Sequence, residues 1–207
     1  MVFGLIGLAA YIAYIPIFLT LLVLVIKKYK RYSILTGLVS DLGSVQSPRK
    51  YIFNISLSLF GILSLFFVLS LSNLLPDSYF SKIGLFFLLL TCVSTTCLGL
   101  FPQDTASDHH TFFGRTMLIG VAGAAFFMIY PIYFSSAIPD FVLVINLLIL
   151  VSIVFFVVSN LISGRRKQIS KVLVREIAKN KGLWEWAAFL LAVFWDFVMA
   201  SITLTLL

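Results

Sequence analysis

Six stretches of the chain are apolar over the length a helix needs to cross a bilayer, and this limits the fold more than any other feature. The hydrocarbon core takes about 20 apolar residues in a helix. The stretches lie at about residues 3–26, 51–72, 83–101, 112–135, 141–162 and 183–206. Lipid offers no partner to backbone N–H and C=O groups, so each stretch is expected to be helical. Of the 207 residues, 61% are apolar and 11% are charged, against about a quarter charged in an ordinary soluble domain. A water-soluble fold of this size has no way to hide so much apolar surface. The expected fold is an all-α integral membrane protein, with six transmembrane helices in one bundle over residues 1–207. The start, Met1 to Leu5, lacks a basic region and a small-residue cleavage site, so the first stretch reads as a retained helix with Pro16 as a kink point.

The connections differ in length and charge. Residues 27–50 and 163–182 are long and basic, whereas 102–111 is short and polar. Six helices put these three connections on one side, where fourteen Lys and Arg residues gather, with only Lys82 on the other. The excess of positive charge marks the cytoplasmic face. Loops 27–50, 102–111 and 163–182 are therefore expected in the cytoplasm of a cell-membrane protein, with both termini outside. The net charge of +7 then serves orientation and anionic head groups. No soluble basic domain is present to carry nucleic acid. In 163–182, Ile169, Val172, Leu173 and Ile177 fall at helical spacing, and Lys171, Arg175 and Lys179 form a row on another face. That pattern predicts an amphipathic helix lying on an anionic leaflet. Trp184 and Trp186 open the last stretch, as anchors of an interfacial aromatic belt. Cys92 and Cys97, five apart on one helix, point away from each other and predict no disulfide.

Residues able to carry chemistry are few. The first connection holds Ser40-Asp41-Leu42-Gly43, and the third holds Asp104 and Asp108-His109-His110. Both connections belong to one membrane face, so Asp41, Asp104, His109 and His110 are the candidate catalytic residues, with imidazole as a general base near neutral pH. His109, His110 and Asp104 are the candidate metal ligands, since imidazole and carboxylate suit zinc. The structural alternative is ordinary turn chemistry. Asp104 and Pro102 form a turn, Asp108 caps the fourth helix, and Asp41 closes an Asx-type turn with Gly43 supplying a positive φ. No HExxH or CxxC pattern is present, so no cofactor is expected. Arg115, one turn into the fourth stretch, is placed to pair with Asp104, Asp108 or Asp41, or to bind a lipid phosphate with its planar fork. Asp196 lies near the middle of the sixth stretch, where a carboxylate costs about 2.5–3.5 kcal/mol on insertion scales. It is expected to face the bundle and to have a partner or be protonated, with Asn146 at comparable depth on the fifth stretch as the candidate partner; a neutral hydrogen-bonding group between helices or a contact to another subunit is the structural alternative. Asn54-Ile-Ser56 matches a glycosylation sequon but lies within a spanning stretch.

Ser40-Asp41-Leu42-Gly43, Pro48, Ile52-Phe53-Asn54, Gly61, Gly99-Leu-Phe-Pro102, Asp104 and a histidine before Phe112-Phe113 together resemble the archaeal and bacterial multispan membrane proteins grouped as domain of unknown function 998. The resemblance covers about residues 35–115. It implies a six-helix integral membrane protein, with no settled activity to carry over. The alkaline ceramidases, which use serine, aspartate and three histidines at a zinc site, are a poor match. This chain has two histidines, adjacent to each other and absent from the last stretch.

These observations favour a non-enzymatic polytopic protein: an accessory or scaffold subunit of a membrane complex, or a lipid-interacting protein. Its expected partners are membrane lipids and other membrane subunits. One alternative is an intramembrane lipid-modifying hydrolase built on the Asp/His cluster. Another is a small transporter with Asp196 as its coupling acid.

Overall fold

The computed structural model describes residues 2–103, 108–163 and 180–207. Six helices are long and apolar enough to cross a membrane, and no strand occurs among the described residues. The protein is an all-helical, multi-pass membrane protein. Helix α1 spans Val2–Lys28, α2 Lys50–Leu71 and α3 Tyr79–Leu100. The fourth span is split into α4, His109–Phe127, and α5, Ile129–Tyr133. Helix α6 spans Asp140–Ser163 and α7 Lys181–Leu206.

Helix bounds depart from hydropathy where local chemistry intervenes. Helix α3 starts four residues before Ile83, because Ser78 caps it by accepting a hydrogen bond from the Ser81 amide at 3.1 Å. The fourth span starts at His109, so both histidines are on a helix and not in the loop. It breaks at Met128 because Pro131 has no N–H to offer the Phe127 carbonyl. Pro16, by contrast, sits inside a continuous α1. Its missing N–H leaves the Ile12 carbonyl without the usual helical donor, a loss that intramembrane helices tolerate, and Thr20 donates its hydroxyl to the Pro16 carbonyl one turn on at 2.8 Å.

The spans close into a ring. Helix α1 packs on α2, α2 on α3, α3 on α4, α4 on α6 and α6 on α7, and α7 returns to α1. The inside is apolar and aromatic. Tyr11, Phe18, Phe67, Met128 and Met199 are fully buried there, while large apolar residues such as Leu69, Phe86 and Val154 are exposed on the outside. That outer surface is what lipid solvates. Lipid supplies no hydrophobic drive between helices, so contacts rely on close backbone approach at small residues. Gly99 of α3 lies against the Asn54 carbonyl and Ser58 of α2, and Gly61 of α2 lies against Thr96 and the Cys92 carbonyl of α3. At that contact the Ser58 hydroxyl donates to the Thr96 carbonyl at 3.1 Å. The two cysteines are unbridged thiols.

This packing predicts unequal glycines. Gly99→Val forces a branched side chain into α2 backbone and should lower stability by about 1–3 kcal/mol. Gly114→Ala, whose Cβ meets only Leu98 at 3.9 Å, should be near neutral. Thermal unfolding of the purified protein in detergent checks both.

Candidate functional site

At one end of the bundle the first connection folds over the start of α7. Tyr32 is central to it. Its hydroxyl donates to the Leu38 carbonyl at 2.8 Å and accepts the Trp186 indole N–H at 2.7 Å. Burial pushes the Tyr32 hydroxyl above its usual range, and the indole bond opposes this only in part. The phenol therefore stays neutral and able to do both. The Leu183 amide donates to the Leu35 carbonyl at 3.3 Å. Gly182 lies so close to the Gly37 and Ile34 carbonyls that a Cβ would collide with both. Trp186 is thus 3% exposed and is part of this clamp. The interfacial-anchor expectation does not hold for it, because its N–H is spent inside the protein. Trp184 stacks on Phe155 of α6 with ring centroids 4.5 Å apart.

The Ser-Asp-Leu-Gly stretch forms a 3-10 turn over Val39–Gly43. The Asp41 carboxylate accepts the Leu38 amide at 2.8 Å, and the Glu185 carboxylate of α7 accepts the Val39 amide at 3.3 Å. Two acids thereby satisfy two backbone donors that the turn itself leaves unpaired. The expected positive φ at Gly43 is not found. The glycine is there for space, because a Cβ would strike the Asn54 side chain. Asn54 is buried and donates its amide to the Gly43 carbonyl at 3.2 Å, which ties the connection to α2 and takes the sequon out of reach.

The third connection meets the first only in part. His110 is half-buried, and its Nδ1–H donates to the Phe101 carbonyl at 2.8 Å. A carbonyl can only accept, so the proton sits on Nδ1, and the bond satisfies a terminal carbonyl of α3. His109 is exposed and leans on the Phe101 ring at 5.3 Å. Asp108 occupies the N-cap position of α4 without a side-chain cap bond. Arg115 is exposed. It pairs with neither Asp41 nor Asp108, since among the described residues the only ion pair is Lys82–Asp77. Asp104, and Lys171, Arg175 and Lys179 of the expected surface helix, lie outside the described residues. Among the described residues no three His, Cys, Asp or Glu side chains gather as a metal-holding group.

A polar pocket of about 290 Å³ opens where the connections meet, with Arg31, Tyr32, Asp41, Ser44, Gln46 and Gln103 in its wall. Gln103 brings the third connection into the pocket wall that Asp41 also lines. The histidines do not line it. Arg31 is exposed and makes no ion pair among the described residues, Asp41 included, and its guanidinium carries five donors.

The second polar feature is deep in the bundle. The Tyr11 hydroxyl of α1 donates to Asp196 Oδ2 of α7 at 2.8 Å. Tyr11 is therefore the partner of Asp196, and Asn146 is not. Asn146 is buried and donates its amide to the Ala125 carbonyl of α4. Sequence reasoning misses Tyr32, Glu185 and Tyr11. Their signals are weak: a glutamate between two tryptophans, a tyrosine after a basic run, and a tyrosine in an apolar helix at the depth of Asp196.

Ring closure, lipid-facing exterior and polar ties at one end and in the middle define a polytopic membrane protein. The chain belongs to the family described as Protein of unknown function (DUF998), whose model matches residues 12–202, well beyond the 35–115 stretch that carries the likeness in sequence. No curated protein matches the chain, and no solved structure does.

The clamp makes Tyr32→Phe informative. It strips the Trp186 N–H and the Leu38 carbonyl of their partner, and leaving buried groups unpaired costs about 1–3 kcal/mol. Thermal unfolding should register that loss, and hydrogen exchange should speed up at the amides of Val39 and Leu183 while the centre of α3 stays protected.

Proposed function

We propose that the protein is a non-enzymatic, lipid-interacting membrane protein that holds a phospholipid head group in the pocket beside Arg31. The observation that carries this reading is Arg31, exposed and without an ion pair among the described residues, in the wall of a polar pocket that Asp41 also lines. A planar fork suits a phosphate, and the hydroxyls of Tyr32 and Ser44 add further partners. The pocket is at the end of the spans, the level at which head groups lie. The basic excess at the same end supports a cytoplasmic, anionic leaflet, and with it the placing of both termini outside.

The interfacial hydrolase reading loses support from the same geometry. Asp41 and His110 are each committed to a backbone partner, and the histidines do not reach the pocket. An accessory or scaffold role remains compatible with head-group binding, with the retained lipid as part of the contact to a neighbour.

Native mass spectrometry of the protein released from mild detergent tests the reading. Wild type should retain phospholipid. Arg31→Ala should bind it at least roughly tenfold more weakly, as loss of a hydrogen bond to a charged group worth about 1.5–3 kcal/mol implies. Arg49→Ala removes an exposed charge outside the pocket and should retain lipid as wild type does. Equal retention in Arg31→Ala and wild type would sink the head-group site.

A further inference from the structure

A small cavity of about 50 Å³ lies deep in the ring between α3, α4, α6 and α7, and its wall includes Thr91, Asn146, Trp195 and Asp196. Trp195 is 4% exposed, yet its indole N–H has no hydrogen-bond partner among the described residues. A buried donor of this kind needs an acceptor. Each neighbour has acceptor capacity to spare. Asp196 uses Oδ2 for the Tyr11 hydroxyl, which leaves Oδ1. Asn146 uses its amide nitrogen on the Ala125 carbonyl, which leaves its amide oxygen. Thr91 gives its proton to the Phe87 carbonyl at 2.9 Å and keeps its lone pairs.

The cavity is roomy enough for on the order of one to three water molecules, and a buried water needs two to four polar partners. Those conditions are met. A bare cation would satisfy the three oxygens and leave the indole N–H facing positive charge. Water satisfies both kinds of group. An intramembrane acid beside buried water is the arrangement from which proton exchange can take place.

We propose that this cavity is a hydrated proton-binding site, in which Asp196 takes up and releases a proton through water that also accepts the Trp195 indole N–H. Uptake forms one O–H bond at Asp196 Oδ1. The proton comes from the aqueous phase by way of the cavity water and returns there, while Tyr11 keeps its own proton and goes on donating to Oδ2. The titratable groups facing Asp196 are Tyr11 from α1 and Cys92 from α3. Helices α4 and α6 present only Val121, Ala124, Ala125, Asn146 and Ile149 to the cavity. The mid-length of α2, near Ser64 and Phe67, holds no ionisable group. The site shares no residue with the head-group pocket.

Infrared difference spectroscopy between acidic and alkaline pH, on the full chain in lipid vesicles, tests the proposal. The expected result is a carboxylic-acid carbonyl band that grows on acidification, is lost in Asp196→Asn and is displaced in Trp195→Phe, which keeps an aromatic side chain and removes the N–H. Arg31→Ala should leave the band where it was, so failure of the head-group reading stays separate. If Asp196→Asn does not fold, Tyr11→Phe takes its place, because removing the donor to Oδ2 must move the same band. Absence of the band at every pH, its survival in folded Asp196→Asn, its persistence unmoved in Tyr11→Phe, or an identical position in Trp195→Phe overturns the proposal.

Discussion

Closure of α7 onto α1 is the contact on which the rest of the molecule depends. Sequential neighbours in the ring are joined by connections that hold them near each other. These two helices are the first and last of the chain, and no connection brings them together. Lipid tails are as apolar as the helix surfaces, so burial alone gives the closure little drive. What specifies it is a set of hydrogen bonds that neither helix can make by itself. Tyr11 meets Asp196 in the middle of the spans. At the basic end, the first connection supplies Val39 to Glu185, Leu35 to Leu183 and Tyr32 to Trp186.

The connection that does this is itself built from local chemistry. Asp41 folds the 3-10 turn by taking the Leu38 amide, and the turn then offers the Val39 amide to Glu185. Gly43 lets Asn54 approach and hold the turn on α2. Gly182 lets the connection's backbone touch the first turn of α7. The polar pocket is the space left between this folded connection and Gln103 of the next one, which is why it is lined by hydroxyls and amides together with Arg31. The polar pocket and the helix clamp are thus two faces of one short segment.

Much of this is legible in the amino-acid sequence, and the division between what is legible and what is not is physical. Hydrocarbon thickness forces spans of a set length, so six helices follow from apolar runs alone. The Ser-Asp-Leu-Gly stretch and Asp196 are likewise conspicuous, because acids in such surroundings demand partners. Which partner each one finds is not legible. Tyr11 is 185 residues from Asp196 in sequence, and an aromatic residue in an apolar helix gives no sign of the direction its hydroxyl faces. Asn146 sits at the right depth and still bonds elsewhere, because depth says nothing about rotation round the helix axis. The histidines look like loop residues because hydropathy marks where a span enters lipid, whereas α4 continues for about a turn beyond that level. Glu185 is inconspicuous because flanking tryptophans are what an interface residue would have.

Glu185 and Asp196 also share a geometric relation that explains why α7 seats in one register. They are eleven residues apart, three full turns of an α-helix to within about 20°, and so lie on one face separated by roughly 16 Å of rise. That face turns toward α1 and the first connection, and it carries a carboxylate tie at each level. Rotating α7 enough to free one acid would free the other too, leaving two carboxylates without partners at once. Sliding it one turn toward its start would carry Glu185 or Trp186 into the close approach at Gly182, where even a Cβ collides with backbone. The seat is therefore set by two separated polar contacts and one glycine, and the apolar surface between them has only to fill space. The same rigidity holds Trp195 against the deep cavity while Trp186, half a turn away in azimuth, remains in the clamp.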